Sequence, residues 1–215
     1  MGKETYVKMF IYIFVLLSET KPISYILGDK RVQISEGYYF SVKSHNEKVY
    51  ASNYTSGSIE IYAHKDDIWW GLRRIQTSRP NHYVRLCVNN VNIFASSWHN
   101  KTTCVYSHDG TLLSDHRRTE ELKTPLVCHG DQNGDVLIAD WSNHCLQVLR
   151  SDGNYSRVGI HREELSWPDS AVYYPGRLFV LNGKSTKDPP NETRLSVFLP
   201  TRLLLNAPQK EESEY

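Results

Sequence analysis

Four basic pairs recur at nearly constant spacing: Lys30-Arg31, Arg73-Arg74, Arg117-Arg118 and His161-Arg162, with first members 43, 44 and 44 residues apart. Between them lie polar segments rich in rings, SNYTSG (52–57), SWHNK (97–101) and WSNH (141–144), which bring Trp98, His99, Lys101, Trp141 and His144. Guanidinium groups for phosphate and flat rings for stacking are what single-stranded RNA recognition uses. A protein partner would use the same mixture. Against both stands Glu120-Glu121 behind one pair and Glu163-Glu164 behind another, which cancel much of the positive field.

A second chemistry needs acids and imidazoles. His45, Glu47, His129 and Asp131 are the candidates for metal-dependent work, the chemistry of a secreted hydrolase or lyase. No motif ties them together. The chain has no Gly-rich phosphate loop, no G-x-S-x-G and no H-E-x-x-H. Cys87, Cys104, Cys128 and Cys145 form no C-x-x-C pair and have no His at finger spacing. A zinc site is therefore unsupported, and the expectation is buried thiols, although an even count also permits two disulfides. The sequence points to no metal, no cofactor and no small-molecule substrate.

The composition bounds the elements that must hold these groups. The 215 residues carry 25 basic and 24 acidic side chains, a net charge of +1, which excludes a globally basic nucleic-acid binder but not a local patch. Fourteen Tyr and 5 Trp lean towards strands. No apolar run reaches the ~18 residues of a membrane span.

The strands repeat. KVYASN (48–53), NIFASS (92–97) and DVLIADW (135–141) align on Ala51, Ala95 and Ala139, 44 and 44 apart, and RLFVLN (177–182) follows with Leu181 in that column, 42 further on. Each copy precedes a second apolar run: SIEIY, TCVYS, CLQVL and RLSVF. Pro80, Pro125 and Pro168 precede three of them, and Asp109-Gly110 and Asp152-Gly153 mark hairpin turns. The apolar runs are too short for helices, and turn residues separate them. Asp140 caps the end of a second strand, in line with Ser52, Ser96 and Asn182. Asn143 caps the following turn.

A unit of ~40–45 residues with four short strands is a β-propeller blade, because one small twisted sheet cannot bury both faces alone. The stretch DVLIADWSNHCLQVLRSDG, with Pro125, Gly134, Ala139, Asp140, Asn143, His144, Gln147, Val148 and Gly153, resembles the NHL repeat. The resemblance extends loosely over residues 36–200. It implies an all-β NHL-type propeller of about four to four and a half four-stranded blades, an incomplete six-bladed ring. It is similar to the propellers of tripartite-motif proteins and so implies a non-enzymatic scaffold binding protein or single-stranded RNA, in the ubiquitin pathway or post-transcriptional regulation. Binding falls to Arg73, Arg74, Arg117, Arg118, His161, Arg162, Trp98, Lys101, Trp141 and His144 on one loop face.

Residues 36–207 hold the blades. Residues 1–35 read as the third and fourth strands of a preceding blade, since GDKRVQIS (28–35) matches GLRRIQTS (71–78) at an offset of 43. Met9–Leu17 also suits the core of a signal peptide at 1–20. The strand reading implies a cytoplasmic protein, the signal peptide a secreted one. In the latter case the sequons at Asn53, Asn100, Asn154 and Asn191 would accept glycans. The tail 208–215 is charged, lacks apolar anchors and reads as disordered.

Overall fold

The computed structural model describes residues 23–27, 30–35, 38–65, 68–77, 82, 84–117, 122–131, 133–160, 164–174, 176–183 and 194–199. The segment 9–17, the tail 208–215 and residues 184–193 lie outside them. The described residues form strands and one short 3-10 turn. β1 (Ile23–Leu27) and β2 (Lys30–Ser35) pair antiparallel as a two-stranded sheet.

Four larger antiparallel sheets follow. The first is β3 (Tyr39–His45), β4 (Lys48–Asn53), β5 (Ser58–Lys65) and β6 (Ile68–Gln76). The second is β7 (Arg85–Val88), β8 (Ile93–Ser97), β9 (Thr102–Tyr106) and β10 (Leu112–Arg117). The third is β11 (Pro125–Gly130), β12 (Val136–Asp140), β13 (Cys145–Leu149) and β14 (Tyr155–Arg157). The fourth holds three described strands, β15 (Pro168–Tyr174), β16 (Arg177–Asn182) and β17 (Arg194–Phe198). Strands follow one another in sequence order within each sheet, and the first strands β3, β7, β11 and β15 contact one another in series. The result is an open, partial propeller with the first strands along its axis.

The core is the set of seams between blades. Tyr50, Ile59, Ile61 and Ile75 of the first blade meet Leu86, Ile93, Ala95 and Tyr106 of the second. Cys87, Phe94 and Val105 of the second meet Val127, Val136, Ile138 and Leu149 of the third. Leu126, Ala139 and Leu146 of the third meet Ala171, Leu178, Val180 and Phe198 of the fourth. Each Val, Leu, Ile or Phe among them contributes about 1.5–3 kcal/mol when fully buried.

The seams correct the alanine alignment by one residue. Ala95 faces the first blade, whereas Ala139 faces the fourth and Ile138 faces the second. Ile93 pairs with Tyr106 and Val136 with Leu149, and the turns Ser107–Thr111 and Arg150–Asn154 close with the same bonds. The step from second to third blade is therefore 43, so Ile138 stands in the place of Ala95. A one-residue slip exchanges the two faces of a strand. Asp140 likewise aligns with Asn53 and Asn182. The residue after each of these three, Tyr54, Trp141 or Gly183, donates its N–H to the carbonyl of the residue that precedes the first strand's pairing partner, Tyr38, Thr124 or Trp167. Pro125 and Pro168 pair with Asp140 and Asn182, and Tyr39, which pairs with Asn53, holds that place in the first blade; Pro80 lies outside the described residues.

Candidate functional site

Among the described residues, Arg73, Arg74 and Arg117 do not fall on equivalent positions of their blades. Arg73 and Arg74 lie within β6, the outermost strand of the first blade, not on a loop. Arg74 pairs with Glu60, Asp115 with Cys104 and Arg157 with Gln147, so Asp115 and Arg157 are the structural equivalents of Arg74. Arg117 pairs with Thr102 and corresponds to Gln76, which pairs with Ser58. The hairpin joining the third and fourth strands is shorter in the second blade, and that destroys the 44-residue column. Arg118, His161 and Arg162 lie outside the described residues.

Arg74 is already engaged, its Nη2 2.8 Å from Glu60 Oε1. Glu60 is buried and also accepts from Tyr39 at 2.6 Å, Tyr62 at 2.5 Å and Asn53 at 3.2 Å. Burial pushes its carboxyl up, but these hydroxyls, Arg74 and the amide together hold it below the usual range.

The loop rings divide into two kinds. Trp98 and Lys101 sit in an exposed turn, closed by Lys101 N–H donating to the Trp98 carbonyl at 3.3 Å. Trp141 and His144 occupy the matching turn of the third blade but are built into its seam with the fourth. Both rings lie 4.2 Å from the Trp167 ring, and His144 Nδ1 accepts from Trp167 N–H at 3.2 Å. Asp140 is fully buried and accepts from the N–H groups of Lys123 at 3.0 Å and Thr124 at 2.9 Å. Asn143 donates to the same carboxylate at 2.7 Å. Asn100 and Asn154 are exposed, whereas Asn53 is buried, with its amide between Ser56 N–H and Glu60. Asn191 lies outside the described residues.

The axial strands bring other groups together. Lys43 pairs with Tyr50, Cys87 with Phe94 and His129 with Leu137, so Lys43, Cys87 and His129 occupy one position in three successive blades. A bulge at Cys128, between Val127 and His129, hides this column from a constant-period alignment. Burial holds the His129 imidazole below its ordinary value; Asp131 opposes that, and Lys43 reinforces it. Burial raises the Cys87 thiol to about 12, and all four cysteines are free. Gly130 lets the strand approach, since a Cβ there would lie 3.2 Å from Cys87 Sγ.

His45 belongs to a neighbouring group at the same end of the blades. Its ring stacks on His108 with centroids 5.9 Å apart, and burial, then His108, lowers its pKa while Asn90 raises it. His108 Nε2 lies 2.9 Å from the Asn89 carbonyl and Nδ1 lies 3.2 Å from Tyr50 Oη, which fixes the tautomer with the proton on Nε2. Glu47 is exposed in the β3–β4 turn. Among the described residues no three His, Cys, Asp or Glu side chains converge as a metal ion requires. No described helix is long and apolar enough to cross a membrane.

No family model matches the chain, and no curated protein matches it. Solved structures share its fold. A nidogen/laminin complex superposes with a TM-score of 0.62 at 13% identity, over 85% of this chain and 72% of that one. Virginiamycin B lyase from Staphylococcus aureus gives 0.52 at 11%, over 66% and 48%. A streptogramin B lyase gives 0.53 at 13%, over 75% and 54%. The chain thus spans about half the length of the two lyases. At these identities the likeness establishes a distantly related all-β, propeller-like fold.

These findings correct the functional reading of the sequence. No match supports an NHL identity, RNA binding, a ubiquitin-pathway role or a tripartite-motif-like scaffold. The solved relatives of the fold include enzymes, which overturns the expectation of a purely non-enzymatic module without a small-molecule substrate.

Proposed function

We propose that the chain forms the ligand-binding wall of a propeller that takes a small polar molecule at its axis and performs lyase-type acid–base chemistry on it. The observation that carries this reading is the axial column, in which Lys43 and His129 hold one position in the first and third blades and burial, with the Lys43 charge, holds the His129 imidazole below its ordinary value. A neutral imidazole accepts a proton near pH 7, and an adjacent ammonium stabilises the anion that results. Asp131, on the opposing side of the balance, stabilises the imidazolium once formed.

A streptogramin B, the compound class named for one of the fold's relatives, is the first probe. Binding to the purified chain is measured by calorimetry and consumption by mass spectrometry. His129→Gln is expected to abolish consumption while preserving binding, and Lys43→Met to weaken binding at least tenfold. Absence of both binding and consumption, or unchanged behaviour of both variants, overturns the reading.

A further inference from the structure

The seam between the first and second blades opens at the rim into a cavity of about 400 Å³, within the ~300–1,000 Å³ range of small-ligand sites. β6 supplies one wall, with Arg73 and Ile75, and β9 with β10 supplies the other, with Tyr106, Leu112 and Asp115. Ile75 and Tyr106 are buried, while Leu112 is about half exposed at 49%.

The second blade departs from its neighbours at this cavity. Asp115 stands where the first and third blades carry Arg74 and Arg157, which reverses the local charge. Cys104 stands where they carry Glu60 and Gln147, a smaller side chain in each comparison. Gly110 has φ +90°, and a Cβ on it would lie 3.2 Å from Ile75 Cγ1 and 3.4 Å from Arg73 Cδ. The glycine lets the β9–β10 turn close one end of the cavity against β6. Arg73 Nη1 then donates to the Asp109 carbonyl, and both residues line the cavity.

We propose that this cavity binds a small zwitterion with an apolar body, an α-amino acid or dipeptide, with its carboxylate on Arg73, its ammonium on Asp115 and its side chain against Ile75 and Tyr106. A polyanion is disfavoured, because Asp109 and Asp115 both line the cavity and Arg74 is paired with Glu60. The site is separate from the axial column and does not depend on it.

The probes are L-leucine and leucyl-leucine, titrated by calorimetry against isocaproate, which lacks the amine, and isoamylamine, which lacks the carboxylate. Leucine or its dipeptide is expected to bind at least tenfold more tightly than either singly charged analogue, and the comparison of the two identifies the natural length. Cys104 lines the cavity, whereas Cys87 and Cys145 are buried. The bound probe is therefore expected to slow maleimide labelling at Cys104, read by peptide mass spectrometry. Arg73→Gln and Asp115→Asn are each expected to weaken binding at least tenfold. No binding at millimolar probe, equal affinity for the singly charged analogues, or indifference to both substitutions overturns the assignment. The analogue comparison uses the unaltered protein, so a variant that fails to fold leaves the test intact.

Discussion

Arg85 and Asp169, 84 residues apart, are joined by a two-pronged ion pair. Arg85 Nη2 lies 3.0 Å from Oδ1 and 3.2 Å from Oδ2 of Asp169, and Nη1 donates to the Asp169 carbonyl at 2.6 Å. The pair ties the axial strand of the second blade to that of the fourth, past the third. Asp169 can reach because it is the bulged residue between Pro168 and Ser170. Neither side chain is fully buried, at 24% and 40% exposure.

Breaking this pair should loosen the fourth blade. Asp169→Asn is expected to lower the thermal midpoint, and an Arg85→Met/Asp169→Asn cycle to show coupling of about 1 kcal/mol, since geometry favours the pair while exposure weakens it. Coupling under ~0.3 kcal/mol would reduce the contact to ordinary surface charge.

The corrected register makes unequal demands on neighbouring residues. Ile138 is fully buried against the second blade, whereas Leu137 is half-buried on the opposite face. Ile138→Ala is expected to cost ~2–5 kcal/mol in urea unfolding, and Leu137→Ala distinctly less. The reverse order would restore the alanine alignment.

Asp140 serves three donors at once, so Asp140→Ala strands the Lys123 and Thr124 amides and the Asn143 side chain. A loss of ~1–3 kcal/mol is expected. Denaturant titration measures it, and a change within 0.3 kcal/mol, roughly the error of such comparisons, would show that water replaces the carboxylate.

Acid should destabilise the protein before its carboxylates titrate. His45, His116 and His129 are each held below the ordinary value of 6.5, with burial the largest cause. The unfolded chain therefore binds more protons just below that pH, and stability rises with pH through this window. The stabilisation is complete above about 6.5 and is lost as pH falls through the depressed values. Midpoints measured from pH 8 to 5 should fall. A flat profile above pH 5.5 would mean that the three imidazoles are solvated.

The strand pattern was open to inspection in the sequence. Short apolar runs, Asp109-Gly110 and Asp152-Gly153 at their turns, and a repeat of about 44 residues suffice to place four-stranded units, and both glycines adopt the left-handed φ those turns need. The sites were not open in the same way. Arg73 and Arg117 are 44 residues apart, yet their strands pair at different depths because one hairpin is shorter. Lys43, Cys87 and His129 share a position although their spacing is uneven, because a bulge intervenes.

Alternating apolar residues, turn glycines and repeat length determine that this chain makes small twisted sheets, since those are local properties of backbone and burial. Which residue of each repeat faces which seam, and which charges meet, was decided only in the tertiary structure. A side chain changes face with every single residue, so one insertion in a hairpin or one bulge in an axial strand redirects everything beyond it.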